Sequence, residues 1–197
     1  MPIDGFIEPR QEDAGKYTKM GWWLNIPLGD ILDKAAELHP NKEALVDDRS
    51  RLTYYQLQGI VDKLVIGLIR LGINKQDGVL LQLPNWSEFV YVFFALHKIG
   101  SLTVLVPPRH MQIEINHLYS LTKAKAWIVP ENYRKTDYLP VIDNVMRANP
   151  HMEYIISVRS EEKTLFISLE DLIQDIDLNK ENISELLKRK PSATVSY

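Results

Sequence analysis

The apolar residues of this chain alternate between short continuous runs and stretches with helical spacing. Residues 79–83 form an almost wholly apolar run, which is typical of a strand buried on both faces of a parallel sheet. A turn at Pro84 follows, and apolar positions then recur at helical spacing over residues 89–99. Gly100 is a natural helix stop, and residues 102–106 are typical of a second buried strand. This segment therefore predicts one complete βαβ unit with a right-handed crossover.

Capping residues predict where two helices begin and end. Ser87 is expected to be the N-cap of the helix in the βαβ unit, with Glu88 placed favourably near the positive helix end. Thr53 is expected to cap the preceding helix, because Gln56 stands at the capping-box position. Gly72 is expected to end that helix.

The rest of the pattern continues the alternation of strands and helices. Further helices are predicted at 28–38, 112–123, 138–148, 169–173 and 181–190, further strands at 126–129, 154–158, 165–167 and 194–197, and a hairpin at 44–46 and 51–53. This order implies an α/β fold with a doubly wound, mostly parallel sheet and flanking helices. We expect residues 1–20 to form a polar, turn-rich arm and residues 21–197 to form one α/β subdomain.

Composition narrows the class of protein. The 197 residues are 45% apolar and 25% charged, which is ordinary for a globular domain. The formal net charge of -3 argues against a nucleic-acid partner. The absence of cysteine excludes disulfides, thiolate metal sites and a cysteine nucleophile. We expect no membrane segment, because no apolar stretch reaches roughly 18 residues, and a cytoplasmic location, because the first ten residues do not read as a signal peptide.

Motif searches do not reveal a catalytic constellation. The five histidines lack HxxxH or HExxH spacing, and neither a G-x-S-x-G elbow nor a glycine-rich nucleotide fingerprint is present. Arg109 and His110 follow a strand at the edge where open α/β sheets place ligands. Arg109 can hold a carboxylate or phosphate there, and the simpler alternative is a solvated loop with a salt bridge.

Other notable side chains have structural explanations. The carboxylate pairs at 47–48, 161–162 and 170–171 lie in turns or near helix starts, so solvation and helix-dipole compensation explain them better than acid–base chemistry. The four tryptophans are expected to be core or domain-contact anchors: Trp22, Trp23, Trp86 and Trp127. We therefore assign no catalytic, cofactor-binding or metal-ligating residue.

Three segments resemble the acyl-adenylate-forming ligases. Residues 51–57 (RLTYYQL) resemble the first core motif, L-T-Y-x-E-L, with Gln56 in place of the usual glutamate. Residues 95–107 resemble the second motif, L-K-x-G-A-x-x-x-P, with serine in place of its alanine. Residues 15–32, which contain Gly-Trp-Trp, are similar to the opening of aryl-acid adenylating enzymes such as the 2,3-dihydroxybenzoate–AMP ligases of siderophore synthesis.

The resemblance implies an enzyme that uses ATP and Mg²⁺. In such enzymes a carboxylate attacks the α-phosphate of ATP, giving an acyl-adenylate and pyrophosphate, and a carrier-protein or coenzyme A thiol then takes the acyl group. The phosphate loop of the family would follow a strand near residues 194–197, so no catalytic residue carries over to this sequence. We expect an N-terminal fragment that is inactive alone, binds neither ATP nor Mg²⁺ tightly, and self-associates through an exposed sheet edge.

Two alternatives stay open. In the first, the parent enzyme is a fatty-acid or benzoate coenzyme A ligase rather than an aryl-acid adenylating ligase. In the second, the chain is a stand-alone, non-catalytic α/β binding domain. The sequence identifies neither the carboxylic acid nor the thiol acceptor.

Overall fold

The computed structural model describes residues 9–24, 26–160, 166–174, 176–181 and 183–189. In chain order the elements are α1 (Gln11–Lys19), α2 (Leu28–Leu38), β1 (Glu43–Val46), β2 (Arg51–Thr53), α3 (Tyr54–Leu71), β3 (Gly78–Leu81), α4 (Ser87–Ile99), β4 (Leu102–Leu105), α5 (Gln112–Thr122), β5 (Ala126–Pro130), β6 (Asn132–Tyr133), β7 (Thr136–Asp137), α6 (Leu139–Ala148), β8 (Tyr154–Val158), β9 (Ile167–Ser168), α7 (Asp171–Gln174) and α8 (Ile183–Arg189).

The central sheet has the strand order β4-β3-β5-β8-β9, and every neighbouring pair in it is parallel. The predicted βαβ unit is confirmed, because β3 and β4 pair in parallel on either side of α4. The predicted antiparallel hairpin is also confirmed as β1 and β2. A second, very short hairpin, β6–β7, follows β5.

Helices cover both faces of the sheet, as the doubly wound prediction requires. Val79 and Leu81 belong to a core that also contains buried residues of α2, α3 and α4, whereas Leu80 belongs to a second core with residues of α5 and α6. The two cores separate in this way because successive side chains of a strand point to opposite faces. Trp127 on β5 is wholly buried in the second core, which confirms it as a core anchor.

The helix ends are local features, and most agree with the prediction. Thr53 and Gln56 form the expected capping box of α3, and Gly72 ends that helix with φ 106°. Gly100 ends α4 with φ 78°, a left-handed conformation that glycine adopts without a steric penalty. The prediction for Ser87 was wrong: Ser87 is the first residue of α4, and the N-cap is Trp86, whose side chain makes no capping hydrogen bond.

The N-terminal part of the described chain differs from the sequence prediction. The described part of the expected arm contains α1, a helix with no buried residue, so it lacks the apolar stripe by which a helix is recognised. Trp22 beyond it is 68% exposed and stacks on Tyr17 at 5.6 Å, so of the two predicted roles it does not have the core one, and its role as a domain-contact anchor stays a prediction.

The last part of the chain is described only in pieces. The strand predicted near residue 167 is β9, the helix predicted at 169–173 begins at Asp171, and the helix predicted at 181–190 begins at Ile183. The strand predicted at 194–197 lies outside the described residues. No helix in the described segments is both long enough and apolar enough to cross a membrane.

Candidate functional site

A cavity of about 420 Å³ lies beyond the carboxyl end of β4. Its lining comes from the loop after β4, from the β6–β7 hairpin and from the residue before α6: Pro107, Pro108, Arg109, Met111, Tyr133, Arg134, Thr136 and Tyr138. The cavity is therefore at the edge of the sheet where parallel α/β folds place ligands, as the sequence predicted for Arg109.

Buried hydrogen bonds hold the loop after β4. The Gln82 side chain is wholly buried, and its Nε2 donates to the carbonyl oxygens of His110 at 2.7 Å and Pro107 at 3.2 Å. The indole Nε1 of Trp127 donates to Gln82 Oε1 at 3.1 Å. The hydroxyl of Tyr138 donates to the Pro108 carbonyl at 2.6 Å, and burial raises the pKa of this tyrosine. Hydrogen bonds from side chains of the core therefore hold the backbone on both sides of Arg109 in place.

The rim of the cavity carries two cations. Arg109 and Arg134 are both exposed, and Arg134 stands in the tip of the β6–β7 hairpin with φ 57°. The Arg134 guanidinium lies 5.1 Å from the centroid of the Tyr133 ring. No ion pair joins either arginine to a carboxylate of the described residues, so the salt-bridge alternative for Arg109 is not observed there. Two exposed guanidinium groups above aromatic and proline side chains can bind an anionic group on an apolar or aromatic body.

A second group of side chains, the Arg159 cluster, lies beyond the carboxyl end of β8. Nε and Nη2 of Arg159 contact the Glu88 carboxylate at 2.9 and 3.0 Å, Nη2 also contacts Asp47 at 2.8 Å, and Nη1 contacts Asp48 at 3.3 Å. The guanidinium lies 4.1 Å from the centroid of the Trp86 ring. The Arg159 side chain is only 5% exposed, so these contacts replace its hydration.

Asp47 has more than the solvated role that the sequence suggested. The Ser87 N–H donates to Asp47 Oδ2 at 3.0 Å, so this carboxylate caps α4 from another element. Burial by itself raises the pKa of Asp47, but hydrogen bonds from the backbone of Ser87 and Arg49 and from serine side chains outweigh burial and hold that pKa well below its ordinary value. Helix-dipole compensation is thus correct for Asp47, whereas solvation is not.

Other histidine and carboxylate side chains do not join a common site. His97 Nδ1 lies 2.7 Å from the Phe93 carbonyl oxygen on the same helix. His110 Nδ1 and Glu131 Oε1 are buried without a hydrogen-bond partner among the described residues. Within those residues, histidine and carboxylate side chains do not come together in a group of three that could hold a metal ion. The carboxylate pair at 161–162 lies outside them.

Sequence reasoning missed the side chains that complete the cavity and the Arg159 cluster. Tyr133 and Arg134 lie on a hairpin whose strands have two residues each, too short to show any periodicity. Arg159 follows an apolar strand like many surface residues, and no local signal distinguishes it.

Comparison with known proteins identifies the family. The family described as AMP-binding enzyme matches residues 32–193. Triostin synthetase I of Streptomyces triostinicus is 36% identical over 158 residues, which cover 77% of this chain and 30% of that protein. The 2,3-dihydroxybenzoate-AMP ligase of Bacillus subtilis is 34% identical over 170 residues, which cover 86% of this chain and 31% of that protein.

A solved structure agrees with these matches. The apo structure of Mycobacterium smegmatis MbtA superposes with a TM-score of 0.79 and 28% identity, covering 88% of this chain and 32% of that one. The chain thus spans about 30% of the length of the curated relatives named above. It belongs to the AMP-binding enzyme family, the acyl-adenylate-forming ligases.

Proposed function

We propose that this chain is the N-terminal portion of an aryl-acid adenylating ligase. The full-length enzyme would join a carboxylic acid to AMP with release of pyrophosphate and pass the acyl group to a carrier-protein or coenzyme A thiol. The observation that carries the proposal is the 34% identity, over 86% of the chain, to a 2,3-dihydroxybenzoate-AMP ligase. The motif residues Thr53 and Gly100 support it, because Thr53 caps the start of α3 and Gly100 ends α4, as the sequence predicted.

Within that enzyme, the chain would act as a scaffold rather than as the reactive part. The described residues do not fit an ATP–Mg²⁺ site, because Mg²⁺ in such sites is held largely by the phosphates and the sequence has no glycine-rich phosphate loop. We also propose that the chain consists of an N-terminal arm, residues 1–20, and one α/β subdomain, residues 21–197.

The first test is acid-dependent exchange of pyrophosphate into ATP. The purified 197-residue chain is assayed with 2,3-dihydroxybenzoate and with salicylate, and the Bacillus subtilis relative serves as the positive control. We expect no exchange above the signal without acid. Exchange by this chain alone would show that it carries the catalytic residues and would contradict its role as a scaffold.

The cavity at Arg109 would take an anionic group of a reactant. Its two guanidinium groups and its tyrosine and proline walls suit a phosphate or carboxylate joined to an aromatic body. Coenzyme A, salicylate and inorganic phosphate are therefore the probes. Their binding is followed by shifts of the backbone amide NMR signals of residues 109–111 and 133–138. Binding of coenzyme A in preference to the others would favour the coenzyme A ligase alternative over a carrier-protein ligase.

Arginine substitutions test whether the cavity is the binding site. A hydrogen bond to a charged group contributes about 1.5–3 kcal/mol, so Arg109→Ala and Arg134→Ala are each expected to weaken probe binding at least about tenfold. Arg147→Ala is the matched control, because Arg147 is exposed near the end of α6 that is farther from Tyr138. Equal affinity in all three variants would refute the cavity as the anion site.

A further inference from the structure

We propose that Arg159 is a positioning residue for the cavity, acting through Trp86 on Tyr133. Arg159 does not line the cavity, but it lies against Trp86, and Trp86 lies against the Tyr133 wall. This inference rests on the proposed anion-binding role of the cavity.

The position of Arg159 is determined by contacts from two other elements. Asp47 and Asp48 come from the turn after β1, and Glu88 comes from the first turn of α4. The Glu88 carboxylate accepts from two guanidinium nitrogens, which fixes the plane of the group as well as its place. The Arg159 backbone has φ 57°, a strained conformation for a non-glycine residue that persists only where surrounding contacts hold it.

The fixed guanidinium in turn orients Trp86. The distance of 4.1 Å between the guanidinium carbon and the ring centroid is that of a close cation–π contact, and the planar guanidinium stacks on an aromatic face in a way that an ammonium group does not. Trp86 is half-buried, immediately precedes α4 and packs against the core that contains residues of α2, α3 and α4. Arg159 adds a second constraint on the indole ring, at the face on which the guanidinium stacks.

Trp86 then supports the wall of the cavity. Its ring meets the Tyr133 ring edge-on, with centroids 5.7 Å apart and an interplanar angle of 82°. Such an arrangement is favourable beyond the area it buries. Tyr133 lies on a hairpin with two residues in each strand, and a two-stranded hairpin is marginally stable by itself. Since the Arg134 guanidinium lies over the same Tyr133 ring, a shift of Tyr133 would also move one of the two rim cations.

The first experiment needs no ligand. Arg159→Lys keeps the positive charge but loses the fork and the planar stack, whereas Trp86→Leu leaves every carboxylate contact of Arg159 in place. We expect both variants to move the ring NMR signals of Tyr133 in the 197-residue chain, assigned with Tyr133→Phe. Arg70→Lys, at the exposed ion pair with Glu181, is the control that should leave them unchanged. Loss of the indole ring current by itself moves the Tyr133 signals in Trp86→Leu, so the deciding variant is Arg159→Lys, which keeps the indole. Unmoved Tyr133 signals in folded Arg159→Lys would overturn the proposal.

The second experiment measures coenzyme A binding by titration. We expect Arg159→Lys and Trp86→Leu each to weaken binding roughly tenfold, and the double variant to bind no more weakly than the weaker single variant, since both act through one contact chain. Losses that multiply in the double variant would overturn the proposal.

The two proposals fail in different ways. If Arg109→Ala weakens coenzyme A binding while Arg159→Lys and Trp86→Leu bind like wild type, the cavity keeps its role and the positioning inference falls. If Arg109→Ala has no effect, the anion-site proposal falls, and the Tyr133 signals still decide whether Arg159 positions the wall.

Discussion

The buried ammonium of Lys98 shows how single residues hold this molecule together. Its side chain is 4% exposed, and Nζ lies 2.5 Å from Asp33 on α2 and 2.7 Å from Asp62 on α3. Burial raises the pKa of Asp62 above its ordinary value of 3.8, although the charge of Lys98 acts in the opposite direction. One lysine of α4 thus joins three helices.

Removing this ammonium should be costly. Lys98→Met leaves two carboxylates without their counter-charge, and breaking a buried pair in this way costs about 3–5 kcal/mol. The loss is measured as the free energy of unfolding in urea near pH 7. Arg70→Met is the matched control, since the exposed Arg70–Glu181 pair should contribute less than about 1 kcal/mol. Equal losses in the two variants would contradict this assignment.

The same variant should respond to pH with a defined sign. Because the folded pKa of Asp62 is raised, the folded protein takes up a proton more readily than the unfolded chain, and ionisation of Asp62 becomes costly as pH rises through and above its ordinary value of 3.8. Without Lys98 the pKa of Asp62 rises further. The difference in unfolding free energy between wild type and Lys98→Met should therefore shrink as pH falls from about 7 towards 5. A constant difference over that range would exclude this explanation.

At the scale of elements, α3 is the helix that most of the packing depends on. It packs against α2, α4 and α7, and it is held at both ends by the capping box and Gly72. Gly67 makes the contact with α7 possible, because a Cβ at this position would lie 2.3 Å from the Leu172 carbonyl oxygen. Gly59 on the same helix has open space instead.

These two glycines allow a matched prediction. Gly67→Ala forces α7 to move and should destabilise the protein by about 1–3 kcal/mol, the usual cost of overpacking. Gly59→Ala should stabilise it by about 1 kcal/mol, because alanine is the better helix former. Urea unfolding of both variants provides the comparison. Stabilisation by Gly67→Ala would show that α7 does not pack against α3 as described.

How well an element is predicted depends on how much of its pattern is local. The stripes of α3 and α4 cover many turns, and their glycine stops need only neighbouring residues, so both helices agree with the sequence. The helix α1 buries no residue and β6–β7 is too short for a period, so the sequence carried no signal for either. The cap of α4 was misassigned because Asp47, in the turn after β1, accepts the hydrogen bond from the first N–H of that helix.

At the scale of the whole molecule, β4 stands at one end of the described sheet. Its last residue, Leu105, is 54% exposed, and the side of the strand away from β3 has no paired strand within the described segments. An unpaired strand edge is a template for another chain. This arrangement supports the prediction that the chain self-associates.

A charge on that edge should oppose association. Leu105→Lys is expected to shift the chain towards monomer in sedimentation velocity at a concentration where the wild type associates. Ile113→Lys, on the exposed face of α5, is a control that adds the same charge away from the strand. A wild-type chain that stays monomeric at every concentration would contradict the edge prediction.

The sequence alone determined the βαβ unit, the parallel sheet with helices on both faces and the resemblance to acyl-adenylate-forming ligases, because periodicity, caps and glycine stops depend on residues a few positions apart. It also indicated Arg109 as a residue at the ligand edge of the sheet. Only the tertiary structure brought Tyr133 and Arg109 to the same cavity and Arg159 to Asp47, 112 residues away. Such contacts depend on how whole helices and strands pack against one another. That packing cannot be predicted from the spacing of apolar and polar residues a few positions apart.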